Sequence, residues 1–556
     1  MKGTRLIYLP LGGAGEVGMN LYVYGHGRPG QERLIVVDLG VTFPDMDGSP
    51  GVDLIMADIA WLAERADRIE AIFITHAHED HIGALALLWP QLTAPVYLRK
   101  FTGHLAALKL QDAGLSTSTL QIVGAYPEVV TAGPFKVSFL PISHSIPESA
   151  GLLIDTPSGR VLHTGDFKLD PTPGVGEAFD PALWAQVSAG GVQALVSDST
   201  NVLVGHPGRS EADIADALEA LIANTTGMLG ATTFASNVAR LKTLAGAATR
   251  AGRSVVLLGR AMRRMVDAAL ATGVLTDFPR TLSPEEALEL PRNHLFLLAT
   301  GSQGERRAAT AALSRGKYLG LEMKAGDSYL FSSKTIPGNE REVLRILNAF
   351  SERGVEVIDD NNGAYHVSGH ANRPDLARLH QIVKPKMVVP MHGDHRMLSA
   401  HAKLAESTGI PSIVATNGMM LDLGGDRPTV AEYIDAGRTY LDGSVLIGAM
   451  DGVVRDRIRM ALNGHLIITV LVDEDGEILG DAWCEAKGLP EMGRSNAALV
   501  EVVEADLTQF LGRADRKTLA DDDKLEDALK RIARQTSEAE IGKKPEVTIV
   551  ISRLAE

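Results

Sequence analysis

Three histidines and two carboxylates crowd into six consecutive positions, His76-Ala77-His78-Glu79-Asp80-His81, directly behind the apolar run Ala71-Ile72-Phe73-Ile74. No other stretch restricts the fold and chemistry so strongly. Polar groups packed this densely at a strand end repel one another or stay unsatisfied unless a cation holds them. His76 and His78 alternate and can address one metal, while Asp80 and His81 turn toward another. Such a cluster needs distant partners, and three stand in similar settings. His144 follows Val137-Ser138-Phe139-Leu140, Asp166 follows Val161-Leu162-His163, and His392 follows Met387-Val388-Val389-Pro390. Each lies where a sheet would present it to a shared site. Together they make the seven ligands that two metals need, with Asp166 able to bridge.

The rest of the chain must supply a scaffold and a substrate. At 556 residues it exceeds one ordinary core, so roughly two to four domains are expected. No segment approaches about 18 uninterrupted apolar residues, and the N-terminus reads as the strand Arg5-Leu6-Ile7-Tyr8-Leu9, which argues against a membrane span or signal peptide. Cys484 is the single cysteine, which excludes an internal disulfide framework and a cysteine zinc finger and makes the cytoplasm the default location. A net charge of −15 argues mildly against general coating of nucleic acid, but leaves room for a nuclease with positive charge confined to one cleft.

Gly13-Ala14-Gly15-Glu16-Val17-Gly18, with Asp38 twenty residues beyond, fits the dinucleotide-binding fingerprint in outline. That fingerprint needs a helix to begin at the glycines. Met19-Asn20-Leu21-Tyr22-Val23-Tyr24 is strand sequence instead, so a glycine turn between two strands is the better account. From Ser210 the texture becomes helical, with Ile214, Leu218, Leu221 and Ile222 on one face and Ser210 placed to cap it. Helices and strands then alternate, as in an α/β unit. Near the C-terminus come a hairpin over Leu466 to Ile478 turning at Asp475-Gly476, helices through Leu499 to Leu511 and through Leu525, Leu529 and Ile532, and a strand from Val547 to Ile551.

The His76–His81 block with Asp38, His144 and Asp166 resembles the metallo-β-lactamase fold family. By that resemblance His76, His78 and His144 would hold one zinc, Asp80, His81 and His392 a second, Asp166 would bridge them, and Asp38 would orient the site from just outside. Ser197-Asp198-Ser199-Thr200-Asn201, Val367-Ser368-Gly369-His370 and Met391-His392-Gly393-Asp394 resemble the three motifs of the β-CASP nucleases, and His392 at the third favours the RNA branch over the DNA branch. A closer resemblance, to the bacterial ribonuclease J family, spans essentially the full length. It is carried by Leu11-Gly12-Gly13 through Asn20, Thr232-Thr233-Phe234-Ala235-Ser236-Asn237, Thr300-Gly301-Ser302-Gln303-Gly304-Glu305, Phe331-Ser332-Ser333, Ile336-Pro337-Gly338-Asn339-Glu340 and Val454-Arg455-Asp456-Arg457.

The resemblance implies an αββα sandwich in two parts, residues 1–208 and 364–436, an inserted β-CASP α/β domain over 209–363, a linker over 437–463, and a small α+β association domain over 464–556. It implies a two-zinc ribonuclease, with manganese or magnesium as alternative metals, acting on single-stranded RNA from 5′ to 3′ with a preference for 5′-monophosphate ends and some endonuclease ability. Ala235, Ser236, Asn237 and the segment His366, Val367, Ser368, Gly369, His370 would hold phosphates, helped by the helix expected from Pro374. Asp198 and His370 would form the proton-transfer pair, with Asp80 essential at the metals. A homodimer or homotetramer, and a place in an RNA-degradation assembly, would be the partners.

Two features depart from the relatives. Arg306-Arg307 stands where Pro is usual and reads as surface charge. Ile447-Gly448-Ala449-Met450 replaces an acidic turn used for structural calcium, which argues against calcium despite Asp45, Asp47 and Asp53. The alternatives are another β-CASP endonuclease, for RNA 3′-end processing or DNA repair, and a metal-dead RNA-binding scaffold; no ligand is missing as the latter would require. The remaining histidines, among them His163, His206, His380 and His401, read as structural or surface residues.

Overall fold

The computed structural model describes residues 3–336, 338–360 and 363–554; Pro337 of the Ile336–Glu340 block lies outside them. The chain forms two units, Met1–Thr42 with Met56–Arg438, and Phe43–Ile55 with Thr439–Glu556.

The first unit is built on a metallo-β-lactamase sandwich. Its eight-stranded sheet runs Thr429–Tyr433, Met419–Asp422, Arg5–Gly12, Leu21–Gly27, Arg33–Val37, Ile69–Ile74, Val96–Leu98, Leu120–Ile122. Its six-stranded sheet runs Val130–Ala132, Phe135–Pro141, Ala150–Thr156, Gly159–His163, Ala194–Asp198, Val388–Met391. Alternate side chains of both sheets, including Tyr8, Tyr24, Ile35, Phe73, Phe139, Ile154 and Val196, meet in one buried core. Helices Pro181–Ser188, Arg373–Val383 and His395–Ser407 cover the outer face of the smaller sheet through Trp184, Leu376 and Leu404. On the larger sheet Lys100–Asp112 approaches closely at Gly103, where an added Cβ would sit 2.2 Å from Ile122 and 3.0 Å from Leu98. Burial on both faces explains why these strands read as unbroken apolar runs.

Arg5–Gly12 and Leu21–Gly27 pair antiparallel, with the glycine segment turning between them as the sequence suggested. The insert is an all-parallel sheet in the order Thr281–Leu282, Ser254–Leu258, Leu295–Ala299, Leu229–Thr232, Ser328–Phe331, Glu356–Ile358. Ala215–Asn224 and Val238–Arg250 pack on one face, Ala309–Arg315 and Glu340–Glu352 on the other. Ser210 caps its entry as a capping box with Asp213, although the first turn is a 3-10 helix. Arg306 and Arg307 are exposed.

In the second unit His465–Val472 pairs with Trp483–Lys487 and Glu546–Arg553, and Leu499–Leu511 and Asp522–Ile541 bury one face of that sheet. The hairpin turns over Asp473–Glu477 as expected, but its paired return strand is Trp483–Lys487, because only an isolated bridge joins Val472 and Ile478 before the chain leaves the ladder. Residues 437–463, read from sequence as a linker, are structured. They form the ladder of Arg438–Asp442 with Val445–Gly448, turning at Gly443 (φ +63°), and then the helix Val453–Asn463. Frequent glycines and charges disguised these short elements. Among the described residues no helix is long and apolar enough to cross a membrane.

Candidate metal centre and nucleic-acid cleft

The seven ligand candidates lie just beyond the carboxyl ends of four strands and converge on two adjoining groups. In the first, His76 Nε2 and His144 Nε2 each lie 3.1 Å from His78 Nδ1. The opposite nitrogens are all engaged: His76 Nδ1 with Thr75 Oγ1 at 3.0 Å, His78 Nε2 with Ser236 Oγ at 2.9 Å, and His144 Nδ1 with the Gly369 carbonyl at 2.6 Å. With those nitrogens donating, three bare lone pairs face one another. Burial, followed by the neighbouring imidazoles, holds His76 and His144 well below the usual histidine range, and burial pushes His78 down to about 4. Neutral, preoriented imidazoles with nothing between them fit a divalent cation.

The second group is anionic. Asp80 Oδ2 lies 3.1 Å from His392 Nε2 and 3.4 Å from His81 Nε2; Asp166 Oδ2 lies 3.1 Å from His81 Nε2 and 3.9 Å from His144 Nε2, so it stands between the groups. Among the described residues, buried Asp166 Oδ1 has no hydrogen-bond partner, His392 Nδ1 standing 3.4 Å away. Burial pushes His392 down, but Asp166, Asp198 and Asp80 outweigh it and raise it to about 10; His81 is raised likewise by Asp166, Asp80 and Asp38. So concentrated a negative charge must be balanced, by protons on these imidazoles or by a cation in their place. The residues present therefore fit a dinuclear metal site.

Asp38 accepts from His81 Nδ1 at 2.7 Å and from the Thr75 amide at 2.7 Å, the carboxylate–histidine arrangement that fixes a ligand ring. Asp38 and His392 both have left-handed backbone, with φ +63° and +51°. That conformation costs non-glycine residues about 1 kcal/mol and is tolerated where the side chain is needed. Close approach explains Gly40: a Cβ there would fall 1.7 Å from the Asp80 carbonyl oxygen.

The remaining predicted residues border the same centre. His370 Nδ1 lies 2.8 Å from Asp198 Oδ2, with ring centroids 5.0 Å from His144 and 5.6 Å from His392. Burial lowers His370, but Asp198 more than compensates and raises it above the ordinary value. Ser236 and Asn237 stand at the start of Val238–Arg250, and Asn237 caps that helix. Ser368, Gly369 and His370 precede Arg373–Val383, capped by Asn372. His366 and Ser368 open on a cavity of about 750 Å³ that also takes in Lys168, Arg209, Lys334 and His370. Val367, which borders the same cavity, and Ala235 pack against the insert's core, leaving mainly their backbone for a ligand.

Sequence reasoning missed three supports. Asn20, fully buried, donates from Nδ2 to the Asp80 carbonyl at 3.0 Å and to Asp80 Oδ2 at 3.2 Å, while its Oδ1 accepts from Tyr22 at 2.7 Å. Thr200 Oγ1 lies 2.8 Å from His392 Nδ1. Arg240, fully buried, joins Glu211 to Ser332 and the Tyr365 carbonyl beside His366. Asn20 and Thr200 themselves stand in the motifs named above, and Arg240 lies three residues beyond Asn237, but nothing in the pattern assigned these partners.

Family models match along the chain: Metallo-beta-lactamase superfamily over 15–222, Ribonuclease J beta-CASP domain over 227–350, Zn-dependent metallo-hydrolase RNA specificity domain over 363–415, and Ribonuclease J C-terminal domain over 452–554. Ribonuclease J of Sinorhizobium meliloti is 42% identical over 561 aligned positions, covering 100% of this chain and 98% of its own. Ribonuclease J of Mycolicibacterium smegmatis is 36% identical, covering 89% of each chain, and that of Thermus thermophilus is 34% identical over 84% of this chain and 82% of its own. A solved structure of a protein of unknown function from Enterococcus faecalis covers 75% of this chain and 100% of its own at a TM-score of 0.51 and 16% identity, a likeness of fold alone. Sequence, domain order and a centre fit for metals agree, and the chain belongs to the ribonuclease J family of metal-dependent ribonucleases.

Proposed function

We propose that this ribonuclease removes nucleotides from the 5′ end of single-stranded RNA, prefers a 5′-monophosphate, cuts internally as a secondary activity, and uses two zinc ions. The observation that carries the reading is the placement of His370: it is paired with Asp198, beside both ligand groups, and it borders the cavity lined by Ser368 and His366. Two divalent cations held by His76, His78, His144, Asp80, His81, His392 and the bridging Asp166 would supply Lewis acidity and a nucleophile from water at neutral pH.

The chain's own residues do the rest. Ser236, Asn237 and Ser368 offer hydroxyl, amide and helix-terminal donors to phosphate oxygens. His366, pushed down to about 3 by burial and by Arg240, remains neutral and can contribute a hydrogen bond without a charge. His370, its Nδ1 held by Asp198, keeps Nε2 for delivering a proton to the leaving 3′-oxygen. A phosphate pocket set back from the metals by one nucleotide would count from the 5′ end, which is the basis for the direction. The uncovered face of the C-terminal sheet, with Leu471, Trp483 and Val550 exposed, supports a homo-oligomer.

The test is one incubation series with 5′-monophosphorylated RNA, 5′-triphosphorylated RNA and DNA of the same sequence. Mononucleotide release from the monophosphorylated RNA, lost on chelation and in the Asp80→Ala/His81→Ala protein, is expected. Rapid DNA digestion, equal release from both RNAs, or cleavage insensitive to chelator would overturn the reading.

A further inference from the structure

Ser236 belongs to the inserted domain, yet its hydroxyl meets a candidate metal-ligand histidine. Its Oγ lies 2.9 Å from His78 Nε2, while His78 Nδ1 faces the nitrogens of His76 and His144 at 3.1 Å. With Nδ1 turned to the centre as a lone pair, the Nε2 proton goes to Ser236. A serine hydroxyl accepts and donates at once, so accepting from His78 leaves its own proton free for a phosphate oxygen. The same pattern recurs one ligand away. His144 Nδ1 donates to the carbonyl of Gly369, the residue after Ser368, at 2.6 Å. Gly369 admits no side chain there, since a Cβ would lie 2.6 Å from Ser145 Oγ and 2.8 Å from His144. Two of the three histidines of this group thus lean on the segments read as holding phosphate.

We propose that Ser236 couples the two sites, so that a 5′-phosphate and the metal of the His76, His78 and His144 group tighten each other's binding. The inference rests on the phosphate reading of that pocket. A phosphate accepting the Ser236 proton polarises the hydroxyl, makes its oxygen a better acceptor for the His78 N–H, and so makes His78 a stronger metal ligand. Linkage makes the effect reciprocal. The protein then gains a device by which the correct RNA end completes the metal centre before cleavage.

The experiment is zinc binding to metal-free full-length protein by chelator competition, with and without saturating uridine 5′-monophosphate, and with uridine as the phosphate-free control. Wild type is expected to bind zinc about 5- to 10-fold more tightly with the nucleotide and unchanged with uridine, the affected step being the one lost in His78→Ala. Ser236→Ala, and Ser236→Gly as a second hydroxyl-free protein, should lose that factor and weaken the same step about 10-fold without nucleotide, whereas Ser236→Thr should restore both. Nucleotide binding to zinc-loaded wild type is measured in parallel. Binding with no effect on zinc affinity overturns the coupling but leaves the pocket. An effect that persists in Ser236→Ala and Ser236→Gly also overturns it, by assigning the linkage to direct contact between phosphate and metal. Failure of the nucleotide to bind at all removes the pocket reading and the coupling together.

Discussion

Replacing Asn20 with alanine isolates one support of the anionic metal group. The backbone bond from the Asn20 amide to the Asp80 carbonyl, 2.9 Å, survives the change. What is lost is the set of Nδ2 contacts to Asp80 and to His81 Nε2, the last at 3.0 Å, and the acceptor of the Tyr22 hydroxyl. Tyr22 is fully buried and keeps only a long contact of 3.4 Å to the Gly13 carbonyl, so stranding its hydroxyl costs about 1–3 kcal/mol. The Asp80 side chain is 29% exposed and recovers part of its loss from water. The expected fall in stability is therefore about 2–3 kcal/mol. Removing an outer support of a ligand weakens metal binding by about 10–100-fold, and here only the group containing Asp80 should be affected. Denaturant melts of the metal-free protein read the first effect and a two-step zinc titration the second. Tyr22→Phe, which leaves the Asn20 amide in place, should cost less on both counts. Equal weakening of both zinc steps, or none, would refute the reasoning.

Other outcomes follow from the same geometry. Asp198→Asn removes the charge that raises His370, and turnover should drop about 100- to 10,000-fold with zinc stoichiometry unchanged; metal loss would assign Asp198 a ligand role instead. Gly40→Ala should fail to form the metal centre, since its Cβ meets the Asp80 carbonyl, and normal zinc binding would show that the loop yields easily. His380 and His401, whose Nε2 atoms lie 3.2 Å apart, are held by burial at about 4 and about 3. Both stay neutral in the fold, while the unfolded chain takes up protons below about pH 6.5, so their contribution is complete above that pH and lost on acidification, by about 2 kcal/mol each at pH 5. Urea unfolding of the metal-free protein at pH 7.5 and pH 5 should show this loss, and His380→Gln should remove about one proton of it; an unchanged pH dependence in that protein would contradict the assignment.

The candidate ligand set was legible because residues suited to metal chemistry leave a mark in local sequence. His76 to His81 declare themselves by density, and His144, Asp166 and His392 by their position behind apolar runs, which the sheets turn into a common edge. The strands were readable for a related reason, as burial on both faces demands unbroken apolar runs. The supports were not. Asn20 reaches Asp80 across 60 residues and Thr200 reaches His392 across 192, and neither residue type nor spacing encodes such meetings. Ser236 was placed on phosphate by resemblance, and its contact with His78 across 158 residues emerges only when the insert is folded over the sandwich. The elements of 437–463 escaped because short strands rich in glycine and charge carry little periodicity.

The central claim, RNA hydrolysis at a centre of two metals, is tested most directly by titrating zinc into metal-free protein while following nucleotide release from a 5′-monophosphorylated RNA. The account predicts little release at one equivalent per chain and full activity at two, with His78→Ala and His392→Ala each binding one zinc and remaining inactive. Full activity at one equivalent, or in either variant, would contradict it.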